Sequence, residues 1–199
     1  MSIRTRAGPH SFGDFIELVP EDQKADLIDG VIYMASPENI EHNELESWLL
    51  TLLRVYIEQR RLGQITVSRV AYRLATHVAP EPDIAFVAAS RAHLLKGGYV
   101  DGPPDLAVEF VSPESVERDY ELKRARYEQA GVREYWIIDP DEKRATFLVL
   151  GPDGKFAESP PVDDRFHSRV LPGFSLDTRW LWQRPLPETL PIVHALLAE

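Results

Sequence analysis

The sequence predicts a mixed α/β (α+β) fold, a β-sheet flanked by helices with additional antiparallel hairpins, and three observations carry that prediction. Residues 106–138 read as strand, helix, strand, a unit that implies a right-handed crossover and a parallel strand pair. Asp29-Gly30 and Asp139-Pro140-Asp141 each separate two apolar runs, so antiparallel hairpins lie on either side of that unit. The longest helical pattern, over residues 40–62, supplies a helix to pack on the mixed sheet.

Taken in order, Ser11 caps a short helix over 11–18 that Pro20 ends. Residues 27–34 make a hairpin, because Asp-Gly favours a type I′ turn. Ser36-Pro37-Glu38-Asn39 leads into the long helix, with Gly63 as its stop. Strands follow near 65–68, 71–74 and 83–87, then a short helix over 90–95 and a Lys96-Gly97-Gly98 loop. The strand at 106–111 precedes a helix over 116–130 that Gly131 closes. Residues 134–138 form a strand, 145–150 pair back to it, and Gly151-Pro152-Asp153-Gly154 turns the chain again. The Pro- and Asp-rich stretch 156–171 is irregular, with one or two edge strands. One domain is expected over residues 1–182. Residues 183–199 read as a linker into a short terminal helix to which the sequence assigns no role.

With 199 residues, 44% hydrophobic and 27% charged, the chain has the composition of an ordinary globular domain with a sizeable core. No apolar run approaches the roughly 20 residues that cross a bilayer. No apolar segment follows Met1-Ser2-Ile3-Arg4, so neither a signal peptide nor a membrane partner is expected, and the expected location is cytoplasmic. Cysteine is absent, which removes disulfides and thiolate metal sites. The net charge of −10 argues against a sequence-independent nucleic-acid coat, while leaving room for a local grip through a basic cleft or metal ions.

The chemistry concentrates in three residues. Glu109 lies inside an apolar strand, where an ionised carboxylate is costly unless a cation or strong donors meet it. Alternation puts Leu106, Val108 and Phe110 on one face and Ala107, Glu109 and Val111 on the other. Asp83 opens another apolar strand and shares a face with Ala85 and Val87. Two nearby carboxylates repel unless a cation sits between them, and an all-oxygen site suits Mg²⁺ or Mn²⁺. On the following helix, Val116, Tyr120, Lys123, Tyr127 and Ala130 form one stripe with Lys123 in its middle. Its ammonium must snorkel out or meet an anion, and Glu109 is the obvious one. In a phosphodiesterase this ammonium would orient the attacking water and offset charge on pentacoordinate phosphorus.

Each piece has a plainer alternative. Asp83 could cap a turn after Pro82, Glu109 and Lys123 could form a purely structural buried pair, and Lys123 could snorkel past the sheet edge. His42 falls at the amino-terminal end of the Leu45, Leu49, Leu52, Leu53 and Tyr56 stripe, with Glu46 at its margin. These two are accessory candidates at the rim of a site, against a satisfied core histidine. No dinucleotide fingerprint, P-loop, zincin motif or nucleophile elbow is present.

As an ordered set, these residues resemble the Uma2-like restriction endonuclease family within the PD-(D/E)XK nuclease superfamily. The likeness runs from about Leu27-Ile28-Asp29-Gly30 to Leu171-Pro172-Gly173-Phe174. It rests on Ser36-Pro37 with His42, Pro82-Asp83-Ile84-Ala85-Phe86-Val87, Pro103-Pro104-Asp105-Leu106-Ala107-Val108-Glu109, Ser112-Pro113, Lys123, and residues 130–140. The resemblance implies a restriction-endonuclease-like fold and Mg²⁺- or Mn²⁺-dependent hydrolysis of phosphodiester bonds, with DNA as the nucleic-acid partner and a homodimer as the assembly. Asp83 and Glu109 would be the metal ligands. The superfamily's lysine stands two residues after the second acid, where this chain has Val111, and Lys123 takes over from the helix. Two alternatives stay open: a catalytically inactive binding or interaction protein that retains the fold, and a hydrolase of RNA or another phosphodiester.

Overall fold

The computed structural model describes residues 5–6, 8–36 and 39–198. The chain begins with β1 (Thr5–Arg6), α1 (Phe12–Leu18) and a hairpin of β2 (Ala25–Ile28) and β3 (Val31–Met34). Ser11 and Asp14 cap α1 reciprocally. Asp29 and Gly30 take φ of 51° and 79°, the paired positive values that a type I′ turn requires. Of the lead-in to the long helix, Pro37 and Glu38 lie outside the described residues. Helix α2 (Ile40–Arg60) starts at Asn39, whose side chain accepts the His42 N–H. It ends at Arg61, left-handed at φ 52°, and not at the expected Gly63. Gly63 opens the next strand, where a Cβ would stand 2.1 Å from the Val87 carbonyl oxygen.

Next come β4 (Gly63–Val67), β5 (Ala71–Tyr72), β6 (Ile84–Ala88), a 3₁₀ turn, β7 (Tyr99–Val100) and β8 (Leu106–Phe110). A π-helical turn over Arg118–Lys123 runs into α3 (Arg124–Ala130), which Gly131 closes. Then follow β9 (Glu134–Asp139), β10 (Arg144–Leu150), β11 (Phe156–Glu158), β12 (Arg165–His167), β13 (Ser175–Asp177) and α4 (Thr189–Ala198).

The central sheet has the order β11-β10-β9-β8-β6-β4. Strands β8 and β9 are parallel, as the crossover requires, and every other neighbouring pair is antiparallel. Leu106, Val108 and Phe110 face α2 and share the largest core cluster with Leu49, Leu52, Leu53 and Trp136. Ala107 and Val111 face the other way, into a cluster with Tyr127, Tyr135 and Ile137. Val193 and Leu196 of α4 join the α2 side of the core, and the Trp48 indole N–H donates to the Pro187 carbonyl at 2.7 Å.

The π-helical turn alters one expectation. Hydrogen bonds from i to i+5 widen a helix, so residues four apart stay on one face. The buried face of this segment is therefore Ser115, Asp119, Lys123 and Tyr127. Lys123 and Tyr127 face inward as expected, but Val116 is 47% exposed and Asp119 takes the inward place expected for Tyr120. No helix among the described residues is long and apolar enough to cross a membrane.

Candidate active site

Antiparallel register builds the centre of the site. Ile84 pairs with Val108, and continuing that register by one residue brings Asp83 opposite Glu109. Asp83 Oδ2 accepts the backbone N–H of Phe110 at 2.7 Å. Its Oδ1 is ion-paired with Lys24, which precedes β2. Glu109 is 1% exposed. Its Oε2 meets the Lys123 ammonium at 2.8 Å and its Oε1 accepts the Tyr127 hydroxyl at 2.8 Å.

Lys123 also lies 3.1 Å from Asp26 Oδ2 and 3.5 Å from Asp119 Oδ1. Arg118 Nε stands 3.3 Å from the same Asp26 oxygen. The other Asp26 oxygen accepts the Glu81 N–H at 2.9 Å. Four buried carboxylates (Asp26, Asp83, Glu109, Asp119) thus share three cations (Lys24, Arg118, Lys123).

This crowding shifts the acids unequally. Burial pushes the Glu109 carboxyl up to about 8, with Lys123 pulling it back and Asp83 adding to the rise. Burial likewise raises Asp119 against the pull of Lys123 and Arg118. At Asp26, burial alone would raise the carboxyl, but Lys123, Arg118 and Lys24 outweigh it and hold it below the usual range. Burial alone would depress Lys123, yet Asp26, Glu109 and Asp119 more than offset that and keep its ammonium charged.

A pocket of about 220 Å³ opens onto this network, and Lys24, His42, Asp83, Glu109, Asp119 and Lys123 are among its walls. The structure therefore brings Asp83, Glu109, Lys123 and His42 to one cavity. Glu46 is half-buried one turn further along α2 and does not line the pocket. Among the described residues, the buried His42 Nε2 atom has no hydrogen-bond partner. Across the mouth, the Ser36 hydroxyl donates to Glu114.

Sequence reasoning missed Lys24, Asp26, Arg118, Asp119 and Tyr127. Asp26 did carry a signal, a charge inside the apolar run Ala25-Asp26-Leu27-Ile28, the same kind that marked Glu109. Asp119 carried one as well, standing four residues before Lys123 on the same helix face.

The donor chemistry fits a hard divalent cation. Asp83 and Glu109 offer carboxylate oxygens, and Asp119 Oδ1 is buried with no hydrogen-bond partner among the described residues. As the side chains stand, no group of three or more His, Cys, Asp or Glu among the described residues is arranged to hold a metal. Water and substrate oxygens would have to complete the shell, as is usual for Mg²⁺.

A mixed sheet with carboxylates on two adjacent strands and a lysine from the crossover helix defines the class, a nuclease-like α/β fold. The profile of the Uma2 family, described as "Putative restriction endonuclease", matches residues 12–179, and the chain belongs to that family. Among solved structures, the fold is similar to that of a crystal structure described as "a putative nuclease belonging to DUF820" from Anabaena variabilis ATCC 29413. The TM-score is 0.69 at 18% sequence identity, covering 86% of this chain and 97% of that one. No curated protein matches the chain.

Proposed function

We propose that this chain is an endonuclease that hydrolyses phosphodiester bonds in DNA, with Mg²⁺ or Mn²⁺ held by Asp83 and Glu109. One observation carries the reading: Asp83, Glu109 and Lys123, drawn from three separate elements, line a single pocket. Membership of a family described by restriction endonuclease activity supports it and favours DNA as the substrate.

When bound, the metal would supply Lewis acidity to the phosphodiester and acidify a water. The residues of the chain do the rest. Lys123, fixed by Glu109, Asp26 and Asp119, presents a positive charge in a nearly dry wall. There it orients the attacking water and offsets the charge that grows on phosphorus as the new P–O bond forms and the ester bond breaks. His42, whose Nε2 has no hydrogen-bond partner among the described residues, faces the substrate at the pocket wall, and Glu46 stays an accessory residue behind it. The same reading makes the protein a cytoplasmic homodimer. The central sheet ends in β4 and β11, which have no strand beyond them among the described residues and leave edges for a second copy.

Calorimetry with Mn²⁺ and Mg²⁺ on wild type and Asp83→Ala, with plasmid nicking on the same samples, tests this. Expected are metal binding and metal-dependent nicking by wild type, both lost in the variant. A second reading, an inactive binding protein that keeps the fold, is favoured by one fact: every carboxylate oxygen of Asp83 and Glu109 already has a partner in the protein. No binding and no nicking by wild type at millimolar metal would establish that second reading instead. Nicking competed away by RNA but not by duplex DNA would move the substrate to RNA.

A further inference from the structure

We propose that Lys24 is the resident counter-ion of Asp83, the cation that a divalent metal must displace, so that this one side chain sets the metal affinity of the site. The proposal rests on the metal-dependent reading above and concerns a residue outside its catalytic set.

Both oxygens of Asp83 are occupied, and the two partners differ in what it takes to remove them. The Phe110 N–H belongs to the backbone of a buried central strand and cannot leave. The Lys24 ammonium rides on a flexible four-carbon stem, from a segment just ahead of β2. Its side chain is 18% exposed, against 2% for Lys123, and it lines both the pocket and a neighbouring open cleft with Gln23, Asn39 and Asn43. Lys24 therefore has an open path to water. Lys123 also lines the pocket, but three carboxylates hold its ammonium in place.

Electrostatics points the same way. An ammonium ion-paired with one of the two ligands also repels any cation that approaches that ligand.

The test is Mn²⁺ calorimetry on Lys24→Met, Lys24→Gln and Lys24→Arg beside wild type, with thermal melts confirming the fold of each. A neighbouring charge moves the affinity of a carboxylate for a proton by about 1–3 powers of ten, so Lys24→Met and Lys24→Gln are expected to bind Mn²⁺ at least about tenfold tighter. Lys24→Arg keeps the charge and should stay within about threefold of wild type. Mn²⁺ binding by the neutral variants alone would support the role of Lys24 but overturn metal binding by the wild-type site as proposed above. Equal or weaker binding by either folded neutral variant than by a wild type that binds would overturn the role of Lys24 and leave the nuclease reading standing. Absence of binding by all four proteins would overturn both.

Discussion

Lys123→Met is the most informative single substitution in this protein. Methionine matches the length of the lysine stem but carries no charge, so the change removes an ammonium from 2.8 Å, 3.1 Å and 3.5 Å contacts with Glu109, Asp26 and Asp119. Breaking a buried ion pair from one side costs about 3–5 kcal/mol, because the remaining charge stays uncompensated. Two partners soften the loss, since Arg118 still faces Asp26 at 3.3 Å and the Tyr127 hydroxyl still donates to Glu109. The lower end, about 3 kcal/mol, is expected at pH 9, a fall in Tm of roughly 6–12 °C for a chain of this size. Acid should shrink the deficit. Glu109 titrates near 8 in the folded protein against 4.5 in the unfolded chain, so between those values the folded state holds the extra proton. Its contribution to stability is complete below pH 4.5 and lost as pH rises through 8. At pH 5, Glu109 is neutral in the folded protein and needs Lys123 less. Urea unfolding of both proteins at pH 5 and pH 9 measures the two differences. A loss below about 1 kcal/mol at pH 9, or a larger loss at pH 5, would refute the buried network as drawn.

Two further outcomes follow from the same network. Tyr127→Phe removes the hydroxyl 2.8 Å from Glu109 Oε1 and is expected to cost about 1.5–3 kcal/mol at pH 9, where the acceptor is charged, and about 1 kcal/mol at pH 6. Equal urea midpoints for variant and wild type at pH 9 would show that this contact contributes nothing. Glu81, 5% exposed, accepts the Ala25 N–H at 3.0 Å, and burial pushes its carboxyl up to about 7. Its ionisation opposes folding from pH 4.5 upward, so Glu81→Gln, which keeps an acceptor oxygen, should gain up to about 3 kcal/mol at pH 8 and almost nothing at pH 4. A variant no more stable than wild type at pH 8 would contradict that shift.

Glu109 was legible because a carboxylate in a five-residue apolar strand demands a partner, and strict alternation told which face it takes. The parallel pairing of β8 with β9 followed from the length of the crossover. That Asp83 stands opposite Glu109 depends on which strands are neighbours and in what register, and short-range pattern does not determine either. That Lys24 and Asp26 meet this site was hidden for a related reason, although the charge of Asp26 in its apolar run was visible. Their hairpin was clear in sequence, but not the side of the sheet on which it docks. Arg61 illustrates a smaller failure: Gly63 had the residue type of a helix stop, but close approach to the Val87 carbonyl claimed it for β4.

The widened turn at Arg118–Lys123 has a consequence for how the chain tolerates changes in length. Such a turn is an α-helix carrying about one residue too many. Deleting one of residues 120–122 would restore ordinary winding without disturbing the Gly131 stop or the strands on either side. Yet each residue of an α-helix advances by about 100° around the axis, so the deletion would rotate Asp119 relative to Lys123 and Tyr127, whose own four-residue spacing is untouched. The reading frame of one helical turn, rather than the identity of its exposed residues, thus keeps the Asp119 carboxylate beside the ammonium. A one-residue loss there would leave a folded protein whose Lys123 has lost one of its three carboxylates.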